Sequence, residues 1–143
     1  MLCPYCNNDD TRVIESRLKA DSVRRRRECL SCTTRFTTYE RPMIHLLVTK
    51  KDGSEEPFQF LKIRNSIQRA CCKAEQEQID ILAKKIERKV LGKKTKNVKT
   101  NLIGKLVLNE LKRFDKIAYL RYATIHKQIE DPKLLQKELK IIA

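Results

Sequence analysis

The segment MLCPYCNNDDTRVIESRLKADSVRRRRECLSC, residues 1–32, carries two Cys-x-x-Cys pairs, Cys3/Cys6 and Cys29/Cys32, with 22 residues between them. Two intervening residues let a tight knuckle aim two thiolates at one tetrahedral ion, and the excursion between the knuckles suits a small β-hairpin. Disulfides are the competing use of four cysteines. The N-terminal MLCPYC has neither the charged nor the apolar region of a secretory signal, so the expectation is a cytosolic chain whose thiols stay reduced and hold zinc. Four thiolates close the coordination sphere, which makes the expected ion structural and not catalytic. About 40 residues hardly build a sufficient apolar core, so this segment is expected to fold only around the metal.

Arg24, Arg25, Arg26 and Arg27 stand immediately before the second pair. Positive charge there favours thiolate over thiol and offsets the negative charge of a metal–thiolate cluster. Over all 143 residues, 32 Lys+Arg face 18 Asp+Glu, a formal net charge of +14, which points to a polyanionic partner such as nucleic acid or nucleotide phosphates. Residues 1–41 hold nine basic and six acidic side chains, net +3, so most of the excess lies further along the chain. Global charge therefore does not identify the binding surface, and the C-terminal lysines read first as solvated helix faces. No run approaches the roughly 18 apolar residues that span a bilayer.

Outward from the cysteines, TRVIES, VRRRREC and RFTTYE read as β-type pieces, and Arg41-Pro42 as the start of a linker. Ile44, Leu46 and Val48 alternate along one face of a strand, Asp52-Gly53 is a hairpin signal, and EEPF is a short return strand whose Pro57 suits a sheet edge. From Leu61 the period becomes helical. The first helix shows Ile63, Ile67, Ala70, Cys71 and Ala74 on one face, with Cys71 a buried spectator thiol; the second buries Ile79, Leu82, Ala83, Ile86 and Val90. Gly92 and KKTKNVK read as a loop. A third helix from about Asn101 to Phe114 shows Ile103, Val107 and Leu111. The fourth is capped by Asp115 and shows Ala118, Tyr122, Ile125 and Ile129. The fifth has Asp131 as cap, Pro132 in its first turn, and Leu135, Leu139 and Ile142 for burial. The fold class is α+β, a small β ribbon followed by a β-hairpin with a helical bundle.

No catalytic constellation accompanies His45 or His126, and three glycines cannot supply a Walker A loop or a G-x-G-x-x-G turn, so no enzyme is expected. One phosphate-binding candidate remains. Val48 is placed to contact a base, and Lys50, Lys51 and Lys62 converge on a triphosphate if the hairpin folds over the start of the first helix. On residue pattern alone, lysines beside a turn are usually only solvated.

The order CPYC, ESR, RRRREC, SC, RFTTYER, VTKKDGSEEPF, LK, IGKLVLNEL and AYLRYA resembles the NrdR family, bacterial repressors of ribonucleotide reductase genes, over residues 1 to about 130. The resemblance implies a zinc ribbon over 1–40, a linker and the start of the first cone strand over 41–47, an ATP-cone over 48–130 and a C-terminal helix over 131–143. It implies Cys3, Cys6, Cys29 and Cys32 as ligands of one zinc ion, and ATP or dATP near Val48, Lys50, Lys51, Glu56 and Lys62. It also implies operator DNA upstream of ribonucleotide reductase genes as partner, a homo-oligomer, and a cytoplasmic, nucleoid-associated location without membrane contact. Arg24, Arg25, Arg26 and Arg27 would form the DNA strand together with Arg17 and Arg35. Side chains alternate along a strand, so at most two of the four consecutive arginines share the DNA side. An RNA-binding or ribosome-associated ribbon is the alternative, although it gives no reason for a nucleotide-binding hairpin.

Four features depart from the family pattern. The loop before the arginine run, LKADSV, has no glycine; Asn7 and Thr33 follow the knuckles where a small residue often sits; Gln59-Phe60 replaces Asp-Arg; and His126 replaces a tyrosine. Asn tolerates a positive φ and Thr does so poorly, so strain is expected at the second knuckle.

Overall fold

The computed structural model describes all 143 residues, which divide into two compact units, Met1–Ile44 and His45–Ala143. In the first unit β1 (Thr11–Lys19), β2 (Ser22–Cys29) and β3 (Arg35–Glu40) form an antiparallel sheet in the order β1-β2-β3. The tip of the first hairpin turns without glycine: Ala20 takes φ 48°, and the Ser22 hydroxyl donates to the Lys19 carbonyl at 3.2 Å. Only Cys3 and Cys29 are buried among residues 1–44. With no apolar interior, little but the sulfur cluster remains to offset the chain entropy of folding, as expected for a unit that folds around its metal.

The second unit opens with β4 (Leu47–Thr49) and β5 (Glu55–Pro57), an antiparallel pair whose turn places Gly53 at φ 86°. Pro57 lies on the edge strand, where its missing N–H costs no ladder bond. Five helices follow: α1 (Phe60–Ala70), α2 (Gln76–Leu91), α3 (Thr100–Phe114), α4 (Lys116–His126) and α5 (Pro132–Ile142). Helices α1 to α4 pack each on the next, and α4 closes back on α1. The side chains of Ile67, Ile79, Ile86, Val90, Val107 and Leu111 fill the middle. All five apolar residues expected to face inward from α2 do so. Asp115 caps α4 by accepting from the N–H groups of Ile117 and Ala118, and Asp131 caps α5 by accepting from Lys133.

Five expectations need correction. Helix α1 stops at Ala70 with Cys71 as its C-cap, so Ala74 lies beyond the helix and is only half-buried. Residues 97–99 of the presumed loop form a strand, β6 (Asn97–Lys99), parallel to β4, with Val98 buried opposite Val48. Three residues are too few to show a β period, and only the exposed edge of β4 makes them a strand. Ile44 lies outside β4 and is half exposed, so the alternating face begins at Leu46. The buried side of α4 is Ala118, Tyr119 and Ala123; Ile125 is 79% exposed and Ile129 only half-buried. In α5, Leu135 and Leu139 remain at the surface, while Ile142 and Glu138 are buried. Polar partners decide that last orientation, because Glu138 accepts from the Tyr119 hydroxyl at 2.8 Å and from Lys127 Nζ at 2.7 Å.

A second buried carboxylate joins α2 to α3. Glu110, 3% exposed, pairs with Lys85 at 2.7 Å and with Lys89. Burial pushes its pKa up, but the two lysines outweigh burial and hold it below the usual carboxylate value. A depressed folded-state pKa means that this contribution is present above the unfolded value near 4.5 and is lost as pH falls through the folded value. Glu110→Gln should therefore destabilise the second unit by about 1–2 kcal/mol at neutral pH, reduced from the fully buried case because both lysines are half exposed. In urea titrations the deficit should shrink on acidification below the carboxylate range; a deficit independent of pH would show that charge is not its cause.

Candidate metal centre, basic sheet face and nucleotide cleft

The two knuckles repeat one backbone pattern. Asn7 N–H donates to the Cys3 carbonyl at 2.9 Å and Thr33 N–H to the Cys29 carbonyl at 3.0 Å. Cys3 N–H donates to Asn8 at 2.8 Å and Cys29 N–H to Thr34 at 3.0 Å. Asn7 and Thr33 both take φ 57°. That is the strain expected at Thr33, worth about 1–2 kcal/mol for a β-branched residue in the left-handed region. The Leu30 N–H donates to the Asp10 carbonyl at 3.0 Å and ties one knuckle to the other.

These turns bring the four sulfurs within 4.8 Å of one another, with Cys3–Cys32 at 3.7 Å and Cys6–Cys29 at 3.6 Å. Roughly 3.8 Å separates sulfurs around a tetrahedral ion bound at about 2.3 Å, whereas a disulfide needs about 2.05 Å. The all-thiolate donor set fits zinc. Hydrogen bonds from the Thr34 hydroxyl and N–H hold Cys32 down at about 6. Asn8 N–H also lowers Cys6, yet burial and the thiols of Cys29, Cys32 and Cys3 outweigh it and push Cys6 up to about 12. Thiols this close resist joint ionisation, and a divalent cation removes that conflict.

The sheet register separates the arginines. Arg17 lies opposite Arg24, Arg24 opposite Tyr39, and Glu28 opposite Arg35, so Arg17, Arg24, Arg26 and Arg35 share one face. Arg25 and Arg27 take the other. Arg25 is held there by Glu40 at 2.6 Å and donates to the Ser16 hydroxyl at 3.0 Å, while Arg27 donates to Thr38 at 3.2 Å. The Glu40 contact raises the Arg25 pKa and lowers that of Glu40. Arg12 was missed as a candidate. A bulge skips Ile14 between Val13 and Glu15, which brings Arg12 to the face of Arg17 although five positions separate them. That face thus carries Arg12, Arg17, Arg24, Arg26 and Arg35 against the carboxylates Glu15 and Glu28, which pair with Arg17 and Arg12.

In the second unit a cavity of about 140 Å³ lies under the hairpin, lined by Val48, Glu56, Phe58, Lys62, Thr100 and Gly104 among others. At its mouth Glu56 pairs with Lys62 at 2.7 Å and with Lys50 at 3.2 Å. Lys62, then Lys50, holds the Glu56 carboxyl below its usual range, so it stays ionised and keeps the two ammonium groups together. Lys51 turns elsewhere and reaches the His126 carbonyl at 3.5 Å. Sequence reasoning missed Thr100, Gly104 and Tyr122, which belong to the lining. Thr100 follows the strand that escaped detection, and its hydroxyl donates to the Thr49 carbonyl at 2.8 Å.

Gly104 is required by a close approach: a Cβ there would lie 2.0 Å from the His126 ring. That ring stacks on Tyr122 with centroids 5.7 Å apart. Burial lowers the His126 pKa, with help from the charges of Lys51 and Lys127, so the imidazole is neutral at physiological pH.

A four-thiolate ribbon joined in one chain to a hairpin-and-helix unit with a cationic cleft defines a zinc-ribbon protein with an ATP-cone. Residues 1–40 match the family described as the transcriptional repressor NrdR-like N-terminal domain, and residues 46–132 match the ATP cone domain. The chain is 42% identical to the transcriptional repressor NrdR of Thermomicrobium roseum, covering 99% of this chain and 91% of the relative. It is 43% identical to those of Herminiimonas arsenicoxydans and Variovorax paradoxus, over 92% of this chain and 87% and 92% of the relatives. The chain belongs to the NrdR family of transcriptional repressors.

Two outcomes follow from this geometry. Cys29→Ser should release zinc and unfold residues 1–44 while leaving helical circular dichroism of the second unit in place; retention of one metal equivalent would contradict the four-sulfur site. Gly104→Ala should displace the His126 ring and cost about 1–3 kcal/mol by overpacking. Adding His126→Ala should recover most of that loss in thermal unfolding, and simple additivity would show that the ring is not what the methyl group meets.

Proposed function

We propose that this protein represses ribonucleotide reductase genes, binding operator DNA through its ribbon and reading ATP against dATP through its cone. The single observation that carries the sensing half is the pairing of Lys50 and Lys62 by one carboxylate at the mouth of a cavity with an apolar floor. Two ammonium groups held together suit a polyphosphate, and the floor beside Val48 suits a base. Lys51, whose ammonium rests against the His126 carbonyl at the end of α4, stands outside this pairing and would have to swing away from that contact to meet a phosphate. Because ATP and dATP differ only in a 2′-hydroxyl, a switch needs differential binding to two assembly states; equal affinity for both shifts nothing. In this reading dATP favours an oligomer whose paired ribbons meet two operator half-sites, and effective concentration multiplies weak contacts.

The DNA half rests on the face shared by Arg17, Arg24, Arg26 and Arg35, to which the structure adds Arg12. Arginine forks pair bidentately with phosphate or with guanine edges. Arg25 and Arg27 are assigned instead to holding the sheet. The protein then acts in the bacterial cytoplasm, at the nucleoid.

One set of measurements tests this: identify any co-purifying nucleotide, then titrate the ribonucleotide reductase promoter with ATP or dATP present. Arg26→Gln should reduce the slope of log affinity against log salt by about one unit, and Arg25→Gln should leave it unchanged. Nucleotide-independent binding to any RNA, with no preference for the promoter, would overturn the repressor reading.

A further inference from the structure

The charge of the second unit is not spread evenly. Residues 45–143 hold 23 basic and 12 acidic side chains, and residues 84–116 alone hold 12 basic and three acidic, +9 of the +11. Two of the three carboxylates there are already engaged: Glu110 with Lys85 and Lys89, and Asp115 in the cap of α4. Lys84, Arg88, Lys93, Lys94, Lys96 and Arg113 are exposed, and none takes part in an ion pair.

Five of these six side chains lie on the second half of α2 and on the turn that follows it. Lys84 and Arg88 are four residues apart on the outer side of α2, whose buried side is Ile79, Leu82, Ala83, Ile86 and Val90. The chain then turns tightly: Gly92 N–H donates to Arg88, Lys93 N–H to Val90, and Lys94 N–H to Leu91, with Lys94 at φ 54°. That turn sets Lys93, Lys94 and Lys96 at the end of α2. Arg113 lies in the last turn of α3, at the opposite end of that helix from the turn, and is not counted with the other five. Cations at a helix C-terminus complement its dipole, but that dipole amounts to about half a charge and accounts for one cation, not five. Unpaired cations crowded in this way repel one another until a polyanion lies across them.

We infer that the α2–α3 end of the cone is a second contact surface for duplex DNA, one that grips phosphates without reading sequence. The inference rests on the DNA-binding reading of the ribbon and adds a contact from the unit otherwise assigned to nucleotide sensing. Lysine suits this task, since a mobile point charge tracks a phosphate backbone without the geometry that base recognition demands. The patch shares no residue with the nucleotide cleft, so both can be occupied at once.

The test uses the full chain with Lys93→Gln, Lys94→Gln and Lys96→Gln combined, compared with wild type and with Arg26→Gln. Affinities are measured over a salt series for the promoter duplex, an unrelated duplex of equal length and a single-stranded RNA. Nucleotide affinity serves as the control for folding and should be unchanged. The triple variant should lose about two units or more of salt slope, at about 0.9 per phosphate contact, equally on both duplexes. A wild-type slope in the triple variant, with a reduced slope in Arg26→Gln, overturns this inference and leaves the ribbon reading intact. Loss confined to the RNA overturns the assignment to DNA. A wild-type protein that binds neither duplex overturns the ribbon reading and this inference with it.

Discussion

Four sulfurs within 4.8 Å are the constraint on which the first 44 residues depend. No other side chain in that unit is withdrawn from water to the extent of Cys3 and Cys29. The sheet therefore lacks the apolar interior that orders most small domains; its backbone ladder sets the register, and the two knuckles bring their sulfurs to one site beside it. The strain at Thr33 is consistent with this: a β-branched residue is tolerated at φ 57° because the knuckle needs that turn to aim Cys29 and Cys32. Freed from covering a core, both faces of the sheet are open for polar chemistry. Arginines occupy both, but only one face has Glu40 to hold them in place.

In the second unit the constraint is of another kind. A hydrophobic interior is complete, and the polar exceptions are paired. Glu110 joins α2 to α3, Glu138 joins α4 to α5, and no buried side-chain nitrogen or oxygen lacks a partner. Such pairs add less to stability than to uniqueness of packing, because removing one partner strands the other. The cleft lies where the short sheet, α1, α3 and α4 meet, and Gly104 in its lining also leaves room for the His126 ring.

Much of the site was legible because its signals are local. Two Cys-x-x-Cys pairs announce a metal through spacing alone, and the helical period of α2 places every one of its buried residues. Asp115 and Asp131 were readable as caps because capping is decided within three residues. What escaped had no local signal. The strand β6 exists only because β4 offers an edge, and Thr100 enters the cleft with it. Ile125, Leu135 and Leu139 have the right period for burial, yet no neighbouring element covers them. A residue pattern states which side of a helix is apolar, and packing decides whether that side is used.

The arginine run draws the same division. Strand alternation by itself determined that Arg24 to Arg27 split two and two, since side chains alternate across a pleated strand. The sequence alone also determined the metal, its four ligands and the absence of a glycine-rich phosphate loop. Tertiary structure decided which pair is free. Glu40 and Thr38 arrive from β3 to hold Arg25 and Arg27, and one extra residue in β1 carries Arg12 to the face of Arg17. Neither event leaves a trace in the residues concerned, because a bulge and a cross-strand partner are properties of the pairing between strands, not of either strand alone.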